Sequence, residues 1–460
     1  MRSRILMLTA VAAGCAGEPT GLPAPPAPVV ESVAIARASS VLAAVVIARV
    51  QEADSVLVQF GAAGSALDSA TPAVATGTGP ITLPVLGLLP ETDYRLRLVA
   101  FGADGIAASD TLHFATGALP DDLPRFQAGG TAPSPGYVLF STGAYGVVID
   151  NGGRVVWYLR FPDGPSLNFQ AQPNGRYVAR PPGPYGGNTG PLVEFDVLGR
   201  PTRALDCAGG LRARFHDALV EPDGGYWILC DETREMDLSG IAGVANAAVT
   251  GTVVQHFDAA GRLRFQWSAF DHFELTDLAE AERSGPTVNW THGNALDLDV
   301  EGNLYLSFRS LSEVTKVDPR SGEVLWRMGG LRNEFAFPGG GVPFLRQHGV
   351  RVTPEGGVVL LDNHGELETS RGERYVVDAV THTASLAGIY APTPATRANL
   401  GGTTQLLPGG GVLVAYGDGG RLEEYDAGGA RVWEVVGDAG YVFRAQRIRS
   451  LYHPEAGLGR

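Results

Sequence analysis

Short stretches in which apolar and polar residues alternate, each bounded by glycine or proline, run through most of the chain. A period of two is typical of strands that bury one face. The clearest hairpin has a strand over residues 291–298, a turn over 299–303 and a return strand that ends at Arg309. The turn contains the aspartate, glycine and asparagine that such a reversal needs. The pattern predicts an all-β chain.

A repeated motif marks the region from residue 136 onward: an aspartate, a glycine a few positions later, and then a tryptophan. Its copies are Asp150/Gly153/Trp157, Asp258/Gly261/Trp267, Asp318/Gly322/Trp326 and Asp426/Gly429/Trp433, with a weaker copy at Asp196/Gly199. With a degenerate unit at 375–378, six units fill the region at a period of roughly 45 to 60 residues. A repeat solenoid is the alternative, but the turns and tryptophans favour blades of four strands. We predict a six-bladed β-propeller over residues 136–455.

A separate module precedes the repeats. Residues 29–117 contain short alternating strands, and residues 118–135 are predicted to be a linker. The segment from Leu88 to Tyr94 resembles the tyrosine corner of a fibronectin type III sandwich, in which a tyrosine hydroxyl ties back to the loop backbone. The sequence therefore predicts a small fibronectin III/Ig-like β-sandwich before the propeller, as a spacer or interaction module.

The N-terminus resembles a bacterial lipoprotein signal. A short basic segment and an apolar run too brief to span a bilayer lead to small residues before Cys15. We interpret residues 1–15 as a signal peptide ending at the lipidated Cys15, and residues 16–28 as a flexible tether. An ordinary secretory signal with an incidental cysteine is the alternative. Either interpretation predicts export, and the first predicts a lipid anchor at the periplasmic face of the outer membrane or the cell surface.

The charge and cysteine content limit which molecules the protein is expected to bind and where it is expected to work. The net charge of -14 argues against nucleic acid and against an anionic membrane surface, so membrane contact is expected only through the N-terminal lipid. An anionic substrate would need a local cationic pocket. Export makes a disulfide between Cys207 and Cys230 reasonable, and two buried free thiols are the alternative.

Three histidines occupy equivalent places in the repeats. His216, His292 and His348 each open an apolar strand that turns at proline or glycine. The first strands of propeller blades line one channel, so these imidazoles are expected to meet there with Arg309 alongside. An imidazole can be a nucleophile, a general base or a ligand of zinc or iron. Arginine suits sulfate, phosphate or carboxylate oxygens and argues weakly against a bare cation.

At these residues a family resemblance appears. The segments that carry it are Phe215–Asp217, Trp290–Asn294, Ser307–Arg309, Gln347–His348, Asp362–Asn363, Ser370–Arg371 and Tyr441–Arg447. Together they resemble the bacterial arylsulfotransferases and their divergent relatives. The resemblance implies a six-bladed propeller that moves a sulfuryl group from an aryl sulfate ester to a phenol without a nucleotide donor, by a ping-pong mechanism through a sulfohistidine. It implies no cofactor and no metal.

The resemblance also implies roles. His348 is similar in position to the nucleophile, and His292 to the acid/base that handles the phenol proton. Arg309 and His216 would hold sulfate oxygens as charge develops. Further contacts to substrate are expected from Asn294, Trp290, Asn363 and Arg371.

Two departures from the family pattern keep other functions open. The N-terminal module is fibronectin-like, and His364 stands where the family usually has glycine. His364 is either a fourth channel histidine or a loop residue. The alternatives to a sulfotransferase are a non-catalytic exported propeller that binds a carbohydrate, peptide or phenolic ligand, and a metal-dependent hydrolase or lyase that uses the same histidines.

Overall fold

The computed structural model describes residues 26–161, 164–181, 190–338, 343–364 and 369–455. Within these ranges the protein is all-β, as the sequence predicts, and its helices are single turns. The predicted signal peptide with Cys15 and most of the predicted tether lie outside the described residues. No helix in the described part of the chain is long and apolar enough to cross a membrane.

The N-terminal part forms two antiparallel sheets. In chain order, its strands are β1 (Val29–Arg37), β2 (Ala43–Gln51), β3 (Ser55–Ala62), β4 (Ser69–Ala70), β5 (Val74–Ala75), β6 (Ile81–Leu86), β7 (Asp93–Gly102), β8 (Gly105–Ala108) and β9 (Leu112–Ala115). Strands β1, β2 and β6 form one sheet, and β3 and β7 pair at the centre of the other.

Strand β7 shows how alternation builds the core between these sheets. Tyr94, Leu96 and Leu98 are buried, because every second side chain of a strand points to the same face. The Tyr94 hydroxyl accepts a hydrogen bond from the backbone N–H of Leu89 at 2.8 Å. This is the tie between tyrosine and loop that the sequence predicts.

The remaining strands follow from residue 127 to residue 448. In chain order, they are β10 (Gln127–Gly129), β11 (Tyr137–Thr142), β12 (Tyr145–Ile149), β13 (Val155–Arg160), β14 (Leu167–Ala171), β15 (Tyr177–Arg180), β16 (Leu192–Phe195), β17 (Pro201–Leu205), β18 (Arg212–Val220), β19 (Tyr226–Leu238), β20 (Val244–Phe257), β21 (Leu263–Ser268), β22 (Thr287–Asn289), β23 (Gly293–Leu298), β24 (Leu304–Phe308), β25 (Glu313–Val317), β26 (Val324–Gly329), β27 (His348–Val352), β28 (Val358–Asp362), β29 (Arg371–Asp378), β30 (Thr383–Tyr390), β31 (Thr403–Leu406), β32 (Val412–Ala415), β33 (Leu422–Tyr425), β34 (Arg431–Val436) and β35 (Ala445–Ile448). The helical turns are α1 (Ser239–Ala242), α2 (Ala269–His272) and the 3₁₀ turns Leu275–Asp277 and Glu280–Glu282.

Within the described ranges these strands form six sheets, which are antiparallel except where β22 pairs in parallel with β20. Five are built from consecutive strands: β14 to β17, β18 to β21, β23 to β26, β27 to β30, and β31 to β34. The sixth joins β35, from the end of the chain, to β11, β12 and β13. Each sheet has one edge strand that we call its first strand: β35, β14, β18, β23, β27 and β31. These six strands contact one another in that order, and β31 contacts β35, so they form a closed cycle. A residue on any of these six strands is therefore close to the centre of the cycle.

The aspartate–glycine motif is the turn between the third and fourth strand of a sheet. At the first copy, Asp150 Oδ1 accepts the backbone N–H groups of Gly152 and Arg154 at 3.0 Å each, and Gly153 has a φ of 89°. A glycine adopts this left-handed conformation without steric cost. The tryptophan that follows, Trp157, lies buried on the fourth strand. The repeat is thus a β-hairpin signature with a buried aromatic anchor.

Part of the predicted linker belongs to a sheet. Residues 127–129, inside the predicted linker 118–135, form β10 and pair antiparallel with β34. Their short length and mixed polarity gave no strand pattern, so the sequence did not indicate this pairing.

Asp217 ties five first strands together at the centre of the cycle. Its carboxylate, on β18, accepts hydrogen bonds from Gln170 on β14 at 3.3 Å and from the backbone of Leu296 on β23 at 3.1 Å. Arg351 on β27 lies 2.9 Å away, and Arg444, next to β35, lies 3.3 Å away. Burial opposes ionisation of Asp217, but the two guanidinium groups outweigh it and lower its pKa.

We expect Asp217→Asn to lower the thermal unfolding midpoint by about 3–6 °C, because it leaves the buried guanidinium of Arg444 and the partly buried one of Arg351 with one counter-charge fewer. The stabilisation by Asp217 is present above the ordinary pKa of aspartate and is lost as the pH falls through its lowered pKa. Asp150→Asn is the matched control, since its salt bridge to Arg154 is exposed and contributes little. Equal midpoints for the two variants would contradict the assigned role.

Candidate active site

The hairpin of β23 and β24 places His292 beside Arg309. Its turn closes as predicted, with the Asp299 N–H bonded to the Asn303 carbonyl at 3.0 Å. His292 immediately precedes β23, and Arg309 immediately follows β24. The backbone N–H of Arg309 donates to the carbonyl of His292 at 3.0 Å. The two side chains therefore start from one end of the hairpin.

The three predicted histidines come together. Ring nitrogens of His216, His292 and His348 all lie within 4.8 Å of one another. The rings of His216 and His292 are edge to face, with centroids 4.9 Å apart. His216 lies on β18, His348 opens β27, and His292 precedes β23. Three separate sheets thus supply one imidazole cluster.

Asn363 fixes the tautomer of His348. The Asn363 amide nitrogen donates to the carbonyls of Ala398 and Gly401 at 2.8 and 3.1 Å. Since carbonyl oxygens only accept, the amide oxygen must face His348 Nδ1, 2.8 Å away. Nδ1 therefore carries the hydrogen, and Nε2 keeps its lone pair. This arrangement leaves Nε2 available to attack an electrophile.

All three imidazoles are held in the neutral form. Burial, assisted by the neighbouring imidazoles and by Arg214, lowers the pKa of His216 well below its ordinary value. Burial and then Arg214 and Arg309 do the same to the pKa of His292. For His348, burial lowers the pKa to about 4, although its bond to Asn363 opposes the shift. Near neutral pH the cluster is uncharged and nucleophilic.

Arginines surround the cluster. Arg214 pairs with Asp231 at 2.9 Å, and Arg346 pairs with Glu282 at 2.9 Å. Among the described residues Arg309 makes no salt bridge, and burial together with Arg346 lowers its pKa. Three guanidinium groups thus lie near the cluster, and two of them are paired with carboxylates. Arg214 and Arg346 were missed as site residues, although each stands two positions before its histidine in the sequence.

Several buried polar atoms at the site have no hydrogen-bond partner within the described ranges. They are His216 Nδ1, Arg214 Nε, Arg309 Nε and Asn294 Oδ1. An unsatisfied buried polar group costs about 1–3 kcal/mol. Such groups in a native fold call for a ligand or water to complete them. The two guanidinium N–H groups suit anionic oxygens.

Two residues of the site have a left-handed backbone. His292 and Arg346 have φ values of 50° and 52°. Non-glycine residues in this region are uncommon, although the described chain has others outside the site. This conformation sets the direction in which each of the two side chains leaves the backbone.

The side chains of the other residues predicted to contact substrate are bonded to, or packed against, other parts of the protein. Asn294 is buried, and its amide nitrogen donates to the Gln347 carbonyl at 2.6 Å. Trp290 is packed in the hydrophobic core against Phe270. The Asn363 amide is occupied by backbone and by His348, so Asn363 orients the histidine and offers no free group to a substrate.

Arg371 and His364 belong to a neighbouring group of charges. Arg371 Nε bonds Glu373 at 2.6 Å, and His364 Nε2 lies 2.9 Å from the Asp362 carboxylate. His364 is grouped with Asp362 and Glu373, separately from the three clustered histidines. The prediction that Arg371 touches substrate therefore gains no support from its position.

A polar cleft of about 760 Å³ adjoins the cluster. It contains Arg214 and Asn289, the latter within 2.6 Å of His292, and also Arg212, Thr233 and Thr250. Beside it, Cys207 and Cys230 form a disulfide with an Sγ–Sγ distance of 2.00 Å. The disulfide links the loop after β17 to β19, the strand that carries Asp231.

The geometry permits either an anion or a metal among the histidines. Three neutral imidazoles with ring nitrogens within 4.8 Å of one another are a set of ligands that could hold a zinc-like ion. The same guanidinium groups that depress the pKa of His292 would also repel a cation. An anion with several oxygens fits the charges and the unpartnered donors better.

Comparison with known proteins gives a family match over the central part of the chain. Residues 212–438 match the arylsulfotransferase (ASST) family. The matched range contains His216, His292, Arg309 and His348. No curated protein matches the chain.

Solved structures are similar at low identity. A protein of unknown function from Bacteroides caccae is 14% identical over 69% of this chain and 100% of its own, with a TM-score of 0.43. A streptogramin B lyase is 11% identical over 69% of this chain and 85% of its own, with a TM-score of 0.37. A catalytically inactive virginiamycin B lyase from Staphylococcus aureus is 10% identical over 69% of this chain and 89% of its own, with a TM-score of 0.37.

Proposed function

We propose that the protein transfers a sulfuryl group from an aryl sulfate ester to a phenol, because residues 212–438 match the arylsulfotransferase family. The observation that carries the proposal is the cluster of three neutral imidazoles beside the guanidinium of Arg309, which forms no salt bridge with any residue that the structure describes. An attacking nitrogen and fixed donors for anionic oxygens are the two parts that sulfuryl transfer requires.

His348 is the nucleophile in this proposal. Its Nε2 lone pair attacks sulfur, the bond between sulfur and the aryl oxygen breaks, and a sulfohistidine results. The Asn363 oxygen remains bonded to Nδ1–H and stabilises the positive charge that develops on the ring. A phenol then takes the sulfuryl group in the reverse sense, which gives a ping-pong sequence.

Arg309 and His216 hold the sulfate oxygens. Arg309 Nε and His216 Nδ1 have no partner among the described residues, so neither must give up a bond to bind the anion. Donors that are fixed before the reaction need no reorganisation when charge moves during transfer. Asn294, held by the Gln347 carbonyl, lines the same end of β23.

The cleft next to His292 receives the aryl part of donor and acceptor. Its lining includes Arg212, Thr233, Thr250 and Asn289, the carboxylates of Asp231 and Glu232, and one large apolar side chain, Leu211. A ring with polar substituents can form hydrogen bonds with this lining that an unsubstituted ring cannot.

The architecture and location proposed from the sequence fit this function. The closed cycle of first strands supports a propeller whose blades are the six sheets. The N-terminal sheets support a fibronectin III-like module over residues 29–117. The disulfide of Cys207 and Cys230 supports export to an oxidising compartment, where we place the protein on an N-terminal lipid anchor at Cys15.

The direct test is to incubate the purified protein with 4-nitrophenyl sulfate, with and without a phenol acceptor. We expect sustained release of 4-nitrophenol only with the acceptor. Without it, we expect release of one equivalent and a gain of one SO₃ on the peptide that contains His348. No adduct and no turnover with a range of aryl sulfates would refute the proposal. Turnover that requires added zinc would favour the metal-dependent alternative.

A further inference from the structure

The backbone on both sides of His292 is held by one buried threonine. Thr252, on β20, is 2% exposed, and its Oγ1 accepts hydrogen bonds from the backbone N–H of Gly293 at 2.7 Å and from the hydroxyl of Thr291 at 2.8 Å. The backbone N–H of Thr252 donates in turn to Thr291 Oγ1 at 2.8 Å. Three hydrogen bonds therefore connect β20 to the residues immediately before and after His292.

These contacts pass between two neighbouring sheets that fit closely together. Thr252 belongs to the sheet of β18 to β21, whereas Gly293 opens β23 of the next sheet. A Cβ on Gly293 would lie 2.6 Å from Cγ2 and 2.7 Å from Oγ1 of Thr252, which is closer than real atoms approach. Gly293 is not among the residues with a positive φ. Glycine at this position is therefore explained by the space that Thr252 occupies.

His292 needs its neighbours held because its own backbone conformation is unfavourable. Its φ is 50°, and a non-glycine residue keeps such a value where the surrounding structure imposes it. On the other side of the segment, the backbone N–H groups of Arg309 and Ser310 donate to the carbonyls of His292 and Thr291 at 3.0 and 3.3 Å. With the bonds to Thr252, these contacts fix the direction in which the imidazole leaves the backbone.

We propose that Thr252 is a positioning residue for sulfuryl transfer: its hydroxyl holds the imidazole of His292 where it takes the proton of the acceptor phenol. This inference rests on the proposed function and adds to it a residue outside the histidine cluster that sets the rate of the second half-reaction. Thr252 is buried and is not part of the lining of the cleft, so it acts through His292.

The two half-reactions differ in how much they need His292. In the second, the phenol oxygen forms the new S–O bond, and the N–S bond of the sulfohistidine breaks with its electron pair returning to Nε2 of His348. The proton of the phenol goes to the imidazole of His292 and then to water. In the first, a 4-nitrophenyl donor needs little help, because 4-nitrophenolate leaves readily without a proton. A displaced His292 therefore slows the second half-reaction and spares the first.

Thr252→Val tests the inference, because valine keeps the shape of the side chain and removes the hydroxyl. We expect the adduct to form from 4-nitrophenyl sulfate within about threefold of the wild-type rate, and its discharge to phenol to fall by about 10–100-fold. Thr252→Ser keeps the oxygen and should discharge the adduct at close to the wild-type rate. The measurements are single-turnover release of 4-nitrophenol and loss of the SO₃ mass after phenol is added to preloaded protein.

The choice of acceptor separates a misplaced base from a damaged fold. Phenol has a pKa of about 10, like the tyrosine side chain, and needs a base at neutral pH. Pentafluorophenol is already ionised at neutral pH and needs none. We expect the loss in Thr252→Val to shrink to about threefold or less with the ionised acceptor. Equal losses with both acceptors, or in both half-reactions, would show a merely structural role and overturn the inference.

Gly293→Ala disturbs the same contact from the other side, since its Cβ displaces Thr252 while the hydroxyl remains. We expect the same selective loss of discharge, so this variant carries the test if Thr252→Val does not fold by circular dichroism. Thr404→Val is the matched control. Thr404 is buried on β31, and its hydroxyl donates to the Leu360 carbonyl of the neighbouring sheet at 2.8 Å. We expect this control to form and discharge the adduct at the wild-type rates.

The two proposals fail in distinguishable ways. Normal discharge in both Thr252→Val and Gly293→Ala, or a tenfold loss of discharge in Thr252→Ser, removes the role of the Thr252 hydroxyl and leaves sulfuryl transfer intact. Absence of an adduct in the wild-type protein with every aryl sulfate removes both proposals together.

Discussion

His348→Ala lowers kcat/KM for 4-nitrophenyl sulfate by about 10⁴-fold or more and abolishes the SO₃ adduct; this is the largest effect that we expect. The reason is that His348 alone combines a buried, neutral ring with a lone pair fixed at Nε2 by Asn363. The measurements are steady-state release of 4-nitrophenol and mass analysis of the peptide that contains residue 348.

The control for this variant is His364→Ala, which removes a histidine of the neighbouring carboxylate group. We expect it to keep the adduct. Circular dichroism and the thermal midpoint establish that both variants fold. If His348→Ala retained the adduct on another histidine, the assignment of the nucleophile would be wrong.

Arg309→Ala is expected to lower kcat/KM by about 10²–10³-fold, because it removes a fixed donor from oxygens that gain charge in the transition state. Arg309 has no salt bridge within the described part of the chain, so its loss leaves no buried carboxylate unpaired. The defect should therefore appear in turnover and only weakly in stability.

Chemical rescue gives this prediction a sharp measurement. Added guanidinium should restore part of the activity of Arg309→Ala at concentrations too low to unfold the protein. Arg309→Lys should be less active than the wild-type protein, because an ammonium lacks the planar fork of donors that a guanidinium offers. Arg320→Ala is the matched control, since Arg320 is exposed and pairs with Asp318 in a distant turn. Equal losses in the two alanine variants would contradict a role for Arg309 at the sulfate.

The strands and the histidine positions were predictable because they repeat. Asp150 and its counterparts form the same turn in successive sheets, so one local pattern locates the third and fourth strands. His216, His292 and His348 stand at equivalent points of their units. Equivalent points meet in a cyclic arrangement, and their convergence follows from the repeat before any distance is known.

The groups that orient the histidines could not be predicted in the same way. Asn363 and Asn289 act through single hydrogen bonds to His348 and His292, and neither belongs to the repeat. The left-handed backbone of His292 turns its ring in a direction that strand alternation does not give. Trp290 resembled a substrate contact because of its neighbours in sequence, yet its side chain completes the core.

The sheet that joins β35 to β11, β12 and β13 has a consequence for folding, because the cycle of strands closes only when two segments far apart in the sequence pair. A polypeptide cut before Arg444 lacks this pairing and one of the two guanidinium groups at Asp217. We therefore expect such a fragment to be more readily digested by proteases than the intact chain.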